Sequence, residues 1–352
     1  MSFENAIHAR AITLDTMSLE MCAESGSGHP TSAMSIGHLV SVLMYRTMRW
    51  LPDQPDCPTS DRLVLSEGHA VPAVYAALAD IGATVEWNGE PVKLNPEHLK
   101  TLREADSPLD GHPNPKEGVA FFDAATGSLG QGLSVAAGLG LAANADGTGR
   151  KTYCIIGDGE AREGQITEAL DFIMDHNLTN VLPIFNCNSY GQAGAVSEQQ
   201  SPGRLTSKLQ AFGFEVATID GHSPNEIKAA FDQFNSKGRT QPMAVVAKTI
   251  KGWGAPSMQG GNWHGKPATK NQVQDVIAEL RQTGMSLTSS LSTASIEIQS
   301  PPPATPSDTA SGSMMSFKEA MEKWDMSSVL QSGKMATRKA YGVALRALGH
   351  GN

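Results

Sequence analysis

Cysteine is scarce in this chain of 352 residues: Cys22, Cys57, Cys154 and Cys187 stand far apart, and none belongs to a C-x-x-C pair. That spacing indicates neither a disulfide framework nor a zinc site, and the four thiols are expected to be reduced and mostly buried. Long apolar runs are missing too. None approaches the ~20 residues of a membrane span, and the N-terminal MSFENAIHARAI carries charges where a signal peptide would need its apolar region, so a cytoplasmic location is expected. Basic residues are in deficit, with 27 Lys plus Arg against 36 Asp plus Glu and a net charge of −9. That balance argues against a nucleic-acid partner or an anionic membrane surface. A phosphorylated ligand would need a local device, such as a metal ion.

What is present is material for a core: 40% of the residues are hydrophobic, enough at this length for one large domain or two. Apolar residues recur with helical spacing at Ile7, Ala11, Leu14, Met17 and Met21, and again at Ile36, Leu39, Val40, Leu43 and Met44, with SGSGHPTS as the loop between them. Strand-like and helix-like runs then alternate. RLVLS (62–66) precedes the helical PAVYAALADIG, and TYCII (152–156) precedes a helix with Ile166, Leu170 and Ile173 on one face, ended by Asn177. VLPIF (181–185), FEVATID (214–220), the helical NEIKAAFDQF and MAVVAKT (243–249) follow. This order predicts an α/β fold with a doubly wound, mainly parallel sheet and helices on both faces. The glycine-rich GLSVAAGLGLAANADGTG reads as close helix packing, because it lacks the strand and acidic partner of a dinucleotide loop.

From 285 to 316 the composition turns to Ser, Thr and Pro, which cannot bury enough apolar surface to fold, and a disordered linker is expected. Beyond it, residues 317–352 are expected to be helical but too few for an independent domain. The expected division is therefore 1–284, 285–316 and 317–352, with a second domain missing.

Ligands of open parallel sheets bind at the carboxyl ends of the strands. Here one strand ends in Gly157, Asp158 and Gly159, and the next in Asn186, Cys187 and Asn188, one strand–helix–strand unit later. Asp158 and Asn188 are hard oxygen donors able to share a Mg²⁺ ion whose other ligands are phosphate oxygens and water. Gly157 and Gly159 would let the backbone approach the phosphate, next to a helix N-terminus that favours anions. Taken alone, GDG is more often a turn with Asp158 as a helix cap. The second donor, placed after the next strand, favours the metal.

GDGEAREG followed by FNCN resembles the thiamine-diphosphate signature, and the remaining motifs are similar to those of the transketolase family. SGSGHP (25–30), LSEGHA (65–70), DGHPNP (110–115), TGSLGQGLS (126–134), GDGEAREG, FNCNSYG and KTIKGWG…NWHGK (248–266) stand in that family's order over 1–282. The resemblance implies thiamine diphosphate with Mg²⁺ or Ca²⁺ as cofactors, the metal held by Asp158, Asn188 and the Tyr190 carbonyl. It places His69 and His264 beside the diphosphate and the reacting carbons, and His29 and His112 on the substrate's carbonyl and hydroxyl oxygens. Gly127, Leu129 and Gly159 would hold the cofactor through their backbones, and Glu163 would lie at a dimer interface. His38 and His176, inside helical runs, are assigned no role.

The implied reaction is transfer of a two-carbon ketol unit from a ketose to an aldose, with sugars or sugar phosphates as substrates. Residues from about Ala336 resemble the opening of the family's pyrimidine-binding domain, which carries the activating carboxylate. A complementary C-terminal subunit or domain is therefore expected, in a homodimer or heterotetramer, with the chain inactive alone. FNCN and KTIKGWG also echo pyruvate dehydrogenase E1 chains. An E1-type or 1-deoxyxylulose-phosphate synthase-type enzyme, or a non-catalytic subunit, stays open at this point.

Overall fold

A computed structural model describes residues 1–192, 194–260, 263–288, 290–292, 298–303 and 315–350. The chain divides into two units, Met1–Pro302 and Pro303–Asn352.

Among the described residues the first unit has seven strands: β1 (Arg62–Leu65), β2 (Thr84–Trp87), β3 (Glu90–Lys93), β4 (Thr152–Gly157), β5 (Val181–Cys187), β6 (Glu215–Asp220) and β7 (Met243–Lys248). Five of them form one sheet in the order β1-β4-β5-β7-β6, every pairing parallel, as the alternation of strands and helices predicts. Its helices are α1 (Phe3–Ser25), α2 (Pro30–Val42), α3 (Val71–Ile81), α4 (Gly132–Asp146), α5 (Gly164–Asp175), α6 (Pro202–Phe212), α7 (Pro224–Phe234) and α8 (Val273–Leu287).

Both faces of the sheet are apolar, as a parallel sheet covered on each side requires. Leu63, Leu65, Tyr153, Ile155, Leu182 and Ile184 point into a core shared with α1, α2, α3 and α7, where Ile36, Leu39 and Phe231 are fully buried. The alternate residues Val64, Cys154, Ile156, Val181 and Phe185 point into a second core with α4, α5 and α6. In α4 the glycine-rich stretch packs closely: a Cβ at Gly140 would lie 2.2 Å from Val181. Helix α1 is buried nearly all round, more than its apolar spacing suggests, because α8 covers its remaining side through Ile12, Leu19, Val276, Ile277 and Leu280.

Three differences from the sequence reading have local causes. The antiparallel β2–β3 hairpin was not anticipated, since Pro91 and two four-residue strands give little periodicity. Strand β5 continues to Cys187, so Asn186 is fully buried in the strand and not in a loop. The segment expected as a linker from 285 begins as the last turn of α8, and further on Ile298 packs on the core while the Trp50 N–H donates to the Gln299 carbonyl at 2.9 Å. Composition shows that such a segment cannot build its own core, but not that it stays off an existing one. Residues 289, 293–297 and 304–314 of that stretch lie outside the described residues.

The second unit holds α9 (Phe317–Lys323), α10 (Ser327–Ser332) and α11 (Thr337–His350), where helices were expected. A capping box starts α9: Ser316 Oγ accepts from the Glu319 N–H, and Glu319 Oε2 from the Ser316 N–H. Its small apolar cluster joins Ala320 and Met321 to Val343. No helix among the described residues is long and apolar enough to cross a membrane.

Candidate functional site

Because the five strands are parallel, their carboxyl ends meet at one edge of the sheet. Glu67 and His69 follow β1, Asp158 follows β4, Asn188 follows β5 and Lys251 follows β7. All five, with Ser32, Gly157, Gly159, Glu160, Glu163, Tyr190, Gln200, Leu129 and His264, line one cleft of about 300 Å³. The size is that of a small-ligand site.

Asp158 is 2% exposed. Its Oδ1 accepts the Gly159 N–H at 2.7 Å and its Oδ2 the Ser189 N–H at 2.6 Å. Burial nevertheless pushes its carboxyl up to about 6, so the ionised form is under-compensated. Asn188 faces it from the next strand, with Oδ1 accepting the Tyr190 N–H at 3.1 Å and Nδ2 donating to Ser35 Oγ at 3.3 Å. Gln200 Nε2 donates to the Asp158 carbonyl at 2.6 Å and fixes the GDG turn from below. Glu163 occupies the N-cap position of α5, makes no capping hydrogen bond through its side chain and is exposed.

Three imidazoles gather opposite the carboxylate. Ring centroids lie 5.0 Å apart for His29 and His69, 4.9 Å for His29 and His264, and 5.1 Å for His69 and His264. Burial, and the mutual repulsion of cations so close together, lowers His29 to about 3 and His264 to about 4, and holds His69 well below its usual value. All three are neutral near pH 7. Lys251 Nζ donates to His264 Nδ1 at 2.9 Å, which leaves the His264 proton on Nε2. His112 stands beside them against Gly127, outside the cleft proper and lining an adjoining one with Arg103 and Asp110. Gly127 has φ +125°, and a Cβ there would lie 2.6 Å from His112 Cδ2. Gly127→Ala is therefore expected to turn His112 out of place and lower stability by ~1–3 kcal/mol; a thermal melt equal to that of the parent chain would contradict this.

Several residues that the sequence reading left unassigned hold the site together. Glu160, 2% exposed, accepts from Ser66 Oγ, from the Gly130 N–H at 2.7 Å and from the Gly157 N–H at 3.1 Å, joining three loops of the cleft. Asn186 Nδ2 donates to Glu67 Oε1 at 2.8 Å and to Ser35 Oγ at 2.9 Å, while its Oδ1 accepts from Thr249. Glu67, buried to 1%, is pushed well above the usual carboxylate range by desolvation. A polar side chain two residues before a metal-type asparagine was the available signal for Asn186. Lys251 offered none beyond its place after a strand.

The donor chemistry fits a hard cation with an anionic ligand. Among the described residues no group of three or more His, Cys, Asp or Glu side chains forms a metal cage. Two buried polar atoms of the site, His29 Nδ1 and Ser32 Oγ, have no hydrogen-bond partner. Ser32 lines the cleft, so a ligand there has room to supply the partner its hydroxyl lacks.

The fold and the site together define an α/β domain with a polar cleft at the carboxyl ends of a parallel sheet. The family model "Transketolase, thiamine diphosphate binding domain" matches residues 6–293, and the chain belongs to this family. It is 37% identical to human transketolase over 347 residues, which are 98% of this chain and 51% of that one. The chain thus spans about half the length of the mammalian transketolases it matches. A 6-deoxy-6-sulfo-D-fructose transketolase subunit of Clostridium sp. strain MSTE9 is 36% identical over 276 residues, 78% of this chain and 96% of that subunit. Among solved structures, transketolase from Campylobacter jejuni aligns with a TM-score of 0.67 and 30% identity, covering 83% of this chain and 44% of that one.

Proposed function

We propose that the chain is the diphosphate-binding half of a thiamine-diphosphate-dependent transketolase, which moves a two-carbon ketol unit from a ketose to an aldose. The observation that carries this reading is the convergence of Asp158 and Asn188 with three neutral imidazoles and Lys251 at one sheet edge. Asp158, Asn188 and the Tyr190 carbonyl hold Mg²⁺ or Ca²⁺. Lys251, His69 and His264 donate to anionic oxygens, and the backbones of Gly127, Leu129 and Gly159 complete the cradle. When bound, thiamine diphosphate supplies the electron sink for breaking and forming the carbon–carbon bond. His29, whose Nδ1 lacks a partner, and His112 orient the sugar's carbonyl and hydroxyl oxygens and exchange protons there. Sugars or sugar phosphates are the substrates.

The near-complete match to a transketolase subunit supports a natural division of labour, in which a separate pyrimidine-binding polypeptide or domain completes the site. On this reading the assembly is a cytoplasmic homodimer or heterotetramer with Glu163 at an interface. The test is ketol transfer by the purified chain with saturating thiamine diphosphate and Mg²⁺, alone and with a candidate second half. No turnover alone and turnover on mixing is the expected result; robust turnover alone would overturn the partner requirement.

A further inference from the structure

Three further imidazoles, none of which lines the cleft, form a hydrogen-bonded row through the core. His222, in the loop after β6, receives the Ile250 N–H on its Nε2 at 2.9 Å. That contact fixes the tautomer, because a nitrogen that accepts carries no proton, so the His222 proton sits on Nδ1. His222 Nδ1 lies 3.4 Å from His38 Nδ1, which must then accept, and the His38 proton sits on Nε2, 2.9 Å from His8 Nδ1. One direction of donation satisfies all three contacts. Burial lowers His222 to about 3 and holds His38 well below its usual value, so both rings stay neutral and able to accept.

The same two rings grip Trp253. His222 stacks on the indole, with centroids 5.0 Å apart and planes 18° apart, and His38 meets it edge-on at 4.4 Å. His222 itself is set by the loop, its N–H donating to Asp220 Oδ1 at 2.8 Å. The turn from Ile250 to Trp253 is therefore held at both ends, by its first N–H and its last side chain. Between them stands Lys251, the cation that reaches His264.

We infer that His222 is a positioning residue of this site: with His38 and His8 behind it, it holds the 250–253 turn so that Lys251 and His264 face the anionic end of the ligand. The inference deepens the reading of the cleft as a thiamine-diphosphate site and rests on it. It concerns Lys251 directly, since an ammonium on a loose four-carbon stem loses rotamer freedom when it pairs, and a fixed backbone lowers that loss.

The test compares two variants of the full chain. His222→Phe keeps a flat ring against Trp253 but removes the acceptor, whereas His222→Gln offers an amide oxygen near the position of Nε2. Calorimetric titration with thiamine diphosphate and Mg²⁺ should show about tenfold weaker binding for His222→Phe, the scale of one lost hydrogen bond, with faster hydrogen exchange at Ile250 and a melting midpoint that stays well above the titration temperature. His222→Gln should recover both binding and protection. Parental affinity in His222→Phe, or a loss that tracks the melting midpoint and is not recovered by His222→Gln, would overturn the inference. On the unaltered chain, ¹⁵N spectra should show His222 protonated at Nδ1, and His38 and His8 at Nε2; a proton on His222 Nε2 would also overturn it. If the parent chain binds no thiamine diphosphate, the reading of the cleft fails instead. Exchange at Ile250 and the ¹⁵N shift of His264 Nδ1, which is hydrogen-bonded only while the turn holds, then decide between the outcomes.

Discussion

Asp158→Ala is expected to abolish binding of thiamine diphosphate while leaving the fold intact. The parent carboxylate is buried, accepts two backbone N–H groups and is still pushed up to about 6, so a divalent cation is the missing compensation near neutral pH. Without it Asp158 would face the diphosphate as a second anion. Removing the side chain takes away the one charged ligand of the proposed ion, and the affinity should fall at least ~100-fold, since even groups behind metal ligands account for 10- to 100-fold. The parent chain should likewise fail to bind in chelator and regain binding with Mg²⁺ or Ca²⁺. Circular dichroism checks the fold, and calorimetric titration reads the affinity. Undiminished binding by the variant in chelator would sink the metal assignment.

Acid should destabilise the ligand-free chain. His29, His38, His69, His222 and His264 are all held below the 6.5 of a free imidazole, chiefly by burial. As pH falls below 6.5, the unfolded chain takes up protons that the folded chain refuses, so stability falls. Asp15, Glu67 and Asp158 act in the opposite sense, because burial raises them and the folded chain keeps protons that the unfolded chain has released. Burial also lowers His8 and His112 and raises Asp123 and Glu160, so between pH 6.5 and 5 seven imidazoles outweigh five carboxyls. Each uncompensated group changes the stability by about 1.4 kcal/mol per pH unit, less for the partly exposed rings, so the stability falls from pH 6.5 to 5. Above pH 6.5 the imidazole contribution is complete, and a buried carboxyl still protonated in the folded chain, such as Asp15 or Glu67, goes on lowering the stability with rising pH until it ionises there. The melting midpoint of the metal-free chain should therefore peak near pH 6.5, and a midpoint that holds or rises at pH 5 would contradict the balance.

Much of this architecture is legible in the residues alone. Runs such as TYCII and VLPIF carry apolar side chains on both faces, and their alternation with helical runs is what points to a covered parallel sheet. The spacing from Asp158 to Asn188 also reports a strand–helix–strand unit, which puts both at one edge. What escapes such reading is long-range. Glu160 reads as one more acidic residue in GDGEAREG until Ser66, Gly130 and Gly157 are seen to meet on it. His38 lies in a helical run and carries no local signal; its neighbours His8 and His222 come from another helix and a distant loop. Lys251 gains its meaning from His264, Glu67 and Asp158, none of them adjacent in sequence.

The parallel pairing of β1 with β4 has a kinetic side. Arg62 meets Thr152 across about a quarter of the chain, whereas β4 and β5 are joined through the short segment that carries α5. Closing so long a loop is slow, because its entropy is lost before the contacts that reward it are made. His69 arrives only with β1, and His29 comes from a still earlier segment. The three-imidazole cluster is accordingly expected to form after β4 has paired with β5, so ligand, which needs that cluster, is expected to bind only once β1 is in place and to give no help to the earlier pairing of the apolar strands.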